Sequence, residues 1–171
     1  KAPILLRLAH VQNSAYYMLK DEREKQKNEP AKITSETPEN KDGMLKRLAE
    51  NRKAPTQCYL WKKENLADDD LYFTGFDIMY TFYDDGHLSR RLIKCKECSQ
   101  LYLKEFYEEI DWADGDDPQY VTYIPVTDEQ EAWLISKASI LEILQFQPCI
   151  RSDWPKGGQK KTYWIGKIQT I

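Results

Sequence analysis

The sequence FDIMYTFYDDGHLSRRLIKC occupies residues 76–95 and decides the fold. Its first half is rich in aromatic and β-branched side chains, which favour strands. The residues Asp-Asp-Gly-His follow at 84–87, and an Asp-Gly pair supplies the positive φ angle that a tight hairpin turn requires. We therefore predict two antiparallel strands, over 76–83 and 88–95, joined by this turn.

The segments on either side extend the hairpin into a larger sheet. Strand character returns over 101–110, 120–126 and 162–168, and shorter β-prone runs occur at 57–62 and 71–73. The connections within the meander are too short for parallel crossovers. We therefore predict an antiparallel β-meander of about four to six strands.

Two amphipathic segments predict helices that pack on this sheet. Apolar residues over 4–18 recur at spacings of four and three, which places them on one face of an N-terminal helix. Thr127 and Gln130 match a capping box, which opens a helix over 127–147 that ends before Pro148. This order of elements is typical of an α+β fold.

The composition predicts one domain, covering residues 1–171. The chain has 171 residues, of which 41% are hydrophobic and 31% are charged, and this excludes a disordered or collagen-like chain. Residues 20–43 are polar, with Ala31 and Ile33 as their clearly apolar side chains, so we predict a flexible segment there. We expect a soluble, cytoplasmic protein, because no apolar run is long enough to span a bilayer and four cysteines are few for a secreted scaffold.

Charge is distributed unevenly along the chain. The net charge is only −3, yet ten acids and no Lys or Arg occur between Glu105 and Ser136. Aromatic residues interleave with these acids, and aromatics are frequent anchors of protein interfaces. We predict an acidic-aromatic surface that binds a basic protein partner. Its residues are Glu105, Tyr107, Glu108, Glu109, Asp111, Trp112, Asp114, Asp116, Asp117 and Tyr120.

This charge pattern gives our main functional hypothesis. In outline the chain is similar to small bacterial immunity or inhibitor proteins, which are acidic, motif-poor α+β proteins that neutralise a toxin. A nuclease toxin has a basic cleft because it binds phosphate, and a carboxylate-rich strand and loop would complement it. The alternative interpretation of the acidic run is a solvated face that keeps the protein in solution.

A second hypothesis starts from Cys95 and Cys98. Two thiolates in a tight turn between strands resemble half of a zinc or iron knuckle, although Ser99 stands where a glycine is common. A closed site needs two further ligands, and the candidates are His87, Cys58 and Cys149. His87 and Cys95 bound the same strand, which would separate them by roughly 20 Å. The hypothesis is a zinc-binding regulatory or nucleic-acid-associated module.

An enzyme without a recognisable motif is the remaining alternative. The sequence has no Gly-rich phosphate loop, no nucleophile elbow and no His-x-x-x-His pair. We therefore expect a binding protein with no catalytic residues and no cofactor unless zinc is bound. Because the isoelectric point is about 5.5, we expect no nucleic-acid partner, and no membrane partner is predicted either.

Overall fold

The computed structural model describes residues 38–71, 75–111 and 115–167. The helix predicted over 4–18 and residues 20–37 of the polar segment lie outside these ranges. The helices are α1 (Pro38–Glu50), α2 (Tyr59–Lys62) and α3 (Glu129–Ile135), with single 3-10 turns at Asp68–Leu71 and Ile143–Gln145. The strands are β1 (Phe76–Asp84), β2 (Leu88–Cys95), β3 (Leu101–Glu108), β4 (Gln119–Val126), β5 (Cys149–Trp154) and β6 (Lys161–Ile165).

The strands form one six-stranded antiparallel sheet in the order β1-β2-β3-β4-β5-β6. Each strand pairs with its neighbour in the chain, so the sheet is a meander throughout. The predicted α+β class and antiparallel meander are therefore confirmed. Among the described residues, none of the helices has the length and apolar character needed to cross a membrane.

Both faces of the sheet are covered. On one face, α1 and α3 pack over a core that includes Leu92, Leu103 and Ile124. On the other face, α2 inserts Leu60 into a second core, which contains Tyr102 and both Cys58 and Cys95. Burial of both faces explains why β2 buries neighbouring residues instead of alternating simply between core and solvent.

The strand predicted over 57–62 is wrong, because this segment forms the short helix α2. A turn begins when the Cys58 N–H donates to the Pro55 carbonyl at 2.9 Å, and the Trp61 N–H then donates to the Cys58 carbonyl at 3.1 Å. Aromatic residues favour strands only weakly, and packing of buried Leu60 against the sheet overrides that preference here. Leu71, where a second short strand was predicted, lies in a 3-10 turn.

The helix predicted over 127–147 is interrupted. Its first part, α3, starts one residue later than predicted: Asp128 is the N-cap and accepts from the Glu131 N–H, and Glu131 accepts from the Thr127 N–H. A second capping pair then restarts the chain, because Ser139 Oγ accepts from the Glu142 N–H and the Glu142 carboxylate accepts from the Ser139 N–H. Polar side chains that cap locally compete with helix continuation.

Other features also differ from the sequence-based prediction: β3 ends at Glu108 rather than at 110, and β6 spans Lys161–Ile165 rather than 162–168. Residues 38–43 of the predicted flexible segment belong to α1. The strand β5 (Cys149–Trp154) was not predicted, and it pairs with both β4 and β6 to complete the sheet.

A three-cysteine cluster and an acidic sheet end

Three cysteines meet at one end of the sheet. Cys95 is the last residue of β2, Cys98 lies in the turn to β3, and Cys58 immediately precedes α2. Their sulfur atoms all lie within 4.8 Å of one another. The packing of α2 on the sheet therefore brings a thiol from a distant part of the sequence onto the Cys95–Cys98 turn.

The backbone of this turn is arranged around the thiols. The Cys95 N–H donates to the Gln100 carbonyl at 2.9 Å, and the Ser99 N–H donates to the Cys95 carbonyl at 2.9 Å. Backbone N–H groups of Glu97 and Cys98 reach the Cys95 sulfur. Such turn N–H groups stabilise thiolate charge, as they do in metal-binding knuckles.

Ser99 follows the second cysteine of the turn and has a φ of 61°. This is the left-handed region, which glycine adopts without steric penalty and which costs other residues about 1–2 kcal/mol. The chain therefore keeps the backbone shape of a knuckle even though the usual glycine is replaced. The presence of serine does not prevent the turn.

The three thiols differ in exposure and acidity. Cys58 and Cys95 are fully buried, whereas Cys98 is partly exposed. Burial raises the pKa of Cys58 to about 12 and also raises the pKa of Cys95. At Cys98 burial acts in the same direction, but hydrogen bonds from the Gln100 N–H and the neighbouring thiols outweigh it, so the pKa of Cys98 is lowered.

A buried hydroxyl lies beside the cluster. Tyr102 is completely buried, and its hydroxyl has no hydrogen-bond partner of ordinary geometry among the described residues. Burial raises the pKa of Tyr102, and the facing Cys58 sulfur raises it further. The neutral phenol is therefore placed to donate to Cys58 once that thiol loses its proton.

The other predicted ligand candidates do not join the cluster. His87 lies at the opposite end of β2, where its Nδ1 is 2.9 Å from a Glu108 carboxylate oxygen. Cys149 is buried in the core under α1 and α3, on the other face of the sheet. Of the three candidates that the sequence offered, Cys58 is the one that the fold selects.

Glu105 is the clearest correction to the predicted acidic-aromatic surface, because its side chain is only 1% exposed. It accepts a 2.7 Å hydrogen bond from Arg90 Nε, directly across the strand pair β2–β3. Arg90 also donates to the carbonyls of Ser136 and Ala138 at 2.7 and 2.5 Å. Arg90 therefore anchors the chain after α3 to the sheet, and Glu105, its buried counterion, is inaccessible to a partner.

The remaining described acids of that surface lie together at the end of β3 and the start of β4. Most of them have intramolecular partners. Glu108 bonds His87 and Gln119, Asp111 pairs with Lys156, Asp117 accepts from the Asp111 N–H, and Asp116 accepts from the Gly157 N–H. Glu109 and Asp116 are exposed, while Trp112 and Asp114 lie outside the described residues.

The two described tyrosines of the acidic-aromatic surface stack on each other. The ring centroids of Tyr107 and Tyr120 are 6.1 Å apart with an interplanar angle of 16°. The Arg151 guanidinium lies 4.8 Å from the centroid of the Tyr120 ring. This end of the sheet therefore presents stacked rings and a cation next to the carboxylates.

No known protein family, curated protein or solved structure matches this chain. Functional inference therefore depends on the chemistry of these two groups of side chains.

Proposed function

We propose that this chain is a zinc-binding module whose metal centre is formed by Cys58, Cys95 and Cys98. The observation that carries the proposal is the placement of all three sulfurs within 4.8 Å of one another. Thiolates are soft ligands that select zinc over hard cations such as Mg²⁺ and Ca²⁺. Tetrahedral thiolate sites also accept iron, so the metal analysis described below measures both metals.

The sulfur spacing fits a tetrahedral ion. With Zn–S bonds of about 2.3 Å, the sulfurs of a tetrahedral site are about 3.8 Å apart. The observed upper limit of 4.8 Å is larger by only about 1 Å, which side-chain rotation can close. The N–H groups around Cys95 supply outer hydrogen bonds of the kind that orient metal ligands, and the Tyr102 hydroxyl would add one to Cys58 once that sulfur is a thiolate.

The proposed ion would have a structural role. Helix α2 has four residues, too few to be stable alone, and its N-cap Cys58 makes no side-chain capping hydrogen bond. A metal bond from Cys58 to the β2–β3 turn would fix this helix to the sheet. Structural zinc sites contribute directly to folding free energy in this way.

Metal analysis of the full chain, purified without chelator, tests the proposal. We expect about one zinc per chain in the wild type and loss of the metal in Cys98→Ala. Cys149→Ala is the matched control, because Cys149 is a buried cysteine outside the cluster, and it should keep its zinc. A wild type that cannot be loaded with zinc, or a Cys98→Ala variant that retains it, would contradict the proposal.

A second function, binding of a basic protein such as a nuclease toxin, is favoured by one observation. The register of β3 and β4 gathers Glu109, the Tyr107–Tyr120 stack and Asp116 at one end of the sheet. Such a surface would speed association with a cationic partner in a salt-dependent manner. Because Glu105 is buried, the proposal now concerns the exposed residues only.

Charge reversal tests this second function. The double variant Glu109→Lys and Asp116→Lys should slow association with a basic nuclease domain and remove its salt dependence. Glu64→Lys is the control, because Glu64 is an exposed acid outside the predicted surface. If the double variant and the Glu64→Lys control associate with the nuclease domain at equal rates, Glu109 and Asp116 contribute to solubility and not to binding.

A further inference from the structure

A cleft of about 740 Å³ adjoins the three-cysteine cluster. Its walls come from the segment between α1 and α2, the β2–β3 turn, and the start of α3. Cys98 is the member of the cluster that lines the cleft, together with Ser99 and Gln100. Its volume lies within the range of roughly 300–1,000 Å³ that is typical of ligand pockets.

The cluster supplies three ligand atoms within the described part of the chain. A site built from two knuckles has two Cys-x-x-Cys pairs. Cys95 and Cys98 form one such pair, and a second pair that begins at Cys58 would need a cysteine at position 61. Position 61 is a tryptophan, and the Trp61 ring packs edge-on against Trp164 with centroids 4.9 Å apart. The expected fourth position therefore holds a half-buried indole ring, which is not a zinc ligand.

We infer that the fourth coordination position of the metal opens onto this cleft and takes an exchangeable neutral donor, the imidazole of a histidine from a partner protein. The inference rests on the proposed zinc centre. Three protein ligands with one open position are the arrangement of zinc sites that bind an external ligand. In this chain the partly exposed Cys98 is where the centre meets the cleft.

Charge favours a neutral donor over a fourth thiolate. Zn²⁺ with three thiolates has a net charge of −1, and a further anion would raise it to −2 in a largely buried site. An imidazole completes the Cys₃His set without added charge. The lining of the cleft adds no net positive charge to compensate an additional anion, because the cations Arg52 and Lys53 are matched in number by the acids Asp128 and Glu131.

The cleft can also hold the backbone that would carry such a histidine. Gln57 and Gln130 line it with amide groups, which can both donate to and accept from a peptide, whereas the Gln100 amide already donates to the carbonyls of Leu101 and Val126. Pro55, Leu48 and Leu134 add apolar surface. This lining offers an extended protein segment both hydrogen-bond partners and apolar contact, and its two cations and two acids give it no net charge that would favour a small anion.

Cobalt substitution of the full chain provides the test, with free imidazole as the probe. Co²⁺ replaces Zn²⁺ in thiolate sites, and its visible absorption bands report the number and type of ligands. We expect a saturable change in these bands with one imidazole bound per Co²⁺. Bands that do not respond to saturating imidazole would show a closed site and overturn the inference, while the zinc centre itself would stand.

Two variants locate the open position. Gln130→Trp places a large side chain in the cleft and should weaken imidazole binding at least tenfold. Glu129→Trp alters the neighbouring exposed residue, which does not line the cleft, and should leave imidazole binding unchanged. Equal affinities in the two variants would place the open position elsewhere, and a failure to bind Co²⁺ at all would refute the zinc centre.

Discussion

Replacing Glu105 with glutamine removes one charge of an ion pair that is buried inside the fold. Arg90 and Glu105 are 5% and 1% exposed, and their closest N–O distance is 2.5 Å. The substitution keeps the shape of the side chain but leaves the Arg90 charge without its counterion. Arg90 would still bond the carbonyls of Ser136 and Ala138.

Breaking a buried ion pair from one side costs about 3–5 kcal/mol of unfolding free energy. Burial raises the pKa of Glu105 despite the Arg90 charge, so desolvation already offsets part of the attraction. Glutamine also retains one hydrogen-bond acceptor. We therefore expect Glu105→Gln to lower the free energy of unfolding by about 3 kcal/mol, the lower end of this range.

Urea denaturation of the full chain measures this loss. Glu109→Gln is the matched control on the same run of sequence, because Glu109 is exposed, and it should change the free energy of unfolding by less than about 0.5 kcal/mol. If both variants unfold at the same urea concentration with the same slope, the Arg90–Glu105 pair does not stabilise the fold and our assignment of Glu105 is wrong.

Three further predictions concern other single residues. Tyr102→Phe should lower zinc affinity about tenfold in a chelator competition, because the thiolate of Cys58 loses its buried donor; unchanged affinity would exclude that hydrogen bond. Ser99→Gly should raise the free energy of unfolding by about 0.5–1 kcal/mol, since glycine relieves the left-handed backbone; a loss of stability would contradict this account. Burial lowers the pKa of Lys104 from 10.5 to about 8, so between these values the unfolded chain binds more protons and stability rises with pH. From pH 8 to about pH 10, the free energy of unfolding of the wild type should rise by roughly 2 kcal/mol relative to that of Lys104→Met. If urea denaturation shows the same difference between the two proteins at both pH values, the prediction is wrong.

The meander was predictable because its signals are local. The Asp-Gly turn at 84–87 and the turn predicted over 96–100 both lie between runs of strand-forming residues, and the observed bounds of β2 equal the predicted ones. Local turn chemistry fixes antiparallel neighbours without information from the rest of the chain. The fold class followed from these turns.

The burial of Glu105 depends on a strand register that the sequence prediction missed by one residue. The predicted turn over 96–100 would place Arg90 opposite Phe106, whereas the hydrogen bond from the Cys95 N–H to the Gln100 carbonyl closes a shorter turn and pairs Arg90 with Glu105. The side chains of such a cross-strand pair are close enough to form an ion pair. No Lys or Arg occurs from Glu105 to Ser136, and Arg90, which lies on the neighbouring strand, was therefore not predicted as the partner of Glu105.

The position of Cys58 was beyond the sequence alone. Aromatic residues around it indicated a strand, and the helical turn exists because Leu60 packs into the core beneath it. Tertiary packing of this kind overrides local propensity and leaves no periodic pattern in four residues. The sequence offered Cys58 as one of three candidate ligands but did not distinguish it from the other two.

The eight residues of β3 separate the three-cysteine cluster from the carboxylates, so the two groups lie at opposite ends of this strand. At about 3.3 Å per residue the two ends are roughly 25 Å apart, about three times the Debye length of roughly 8 Å in physiological salt. Ionic screening therefore insulates one end from changes in charge at the other. A carboxylate reversed at the second end should therefore leave zinc affinity at the first end unchanged.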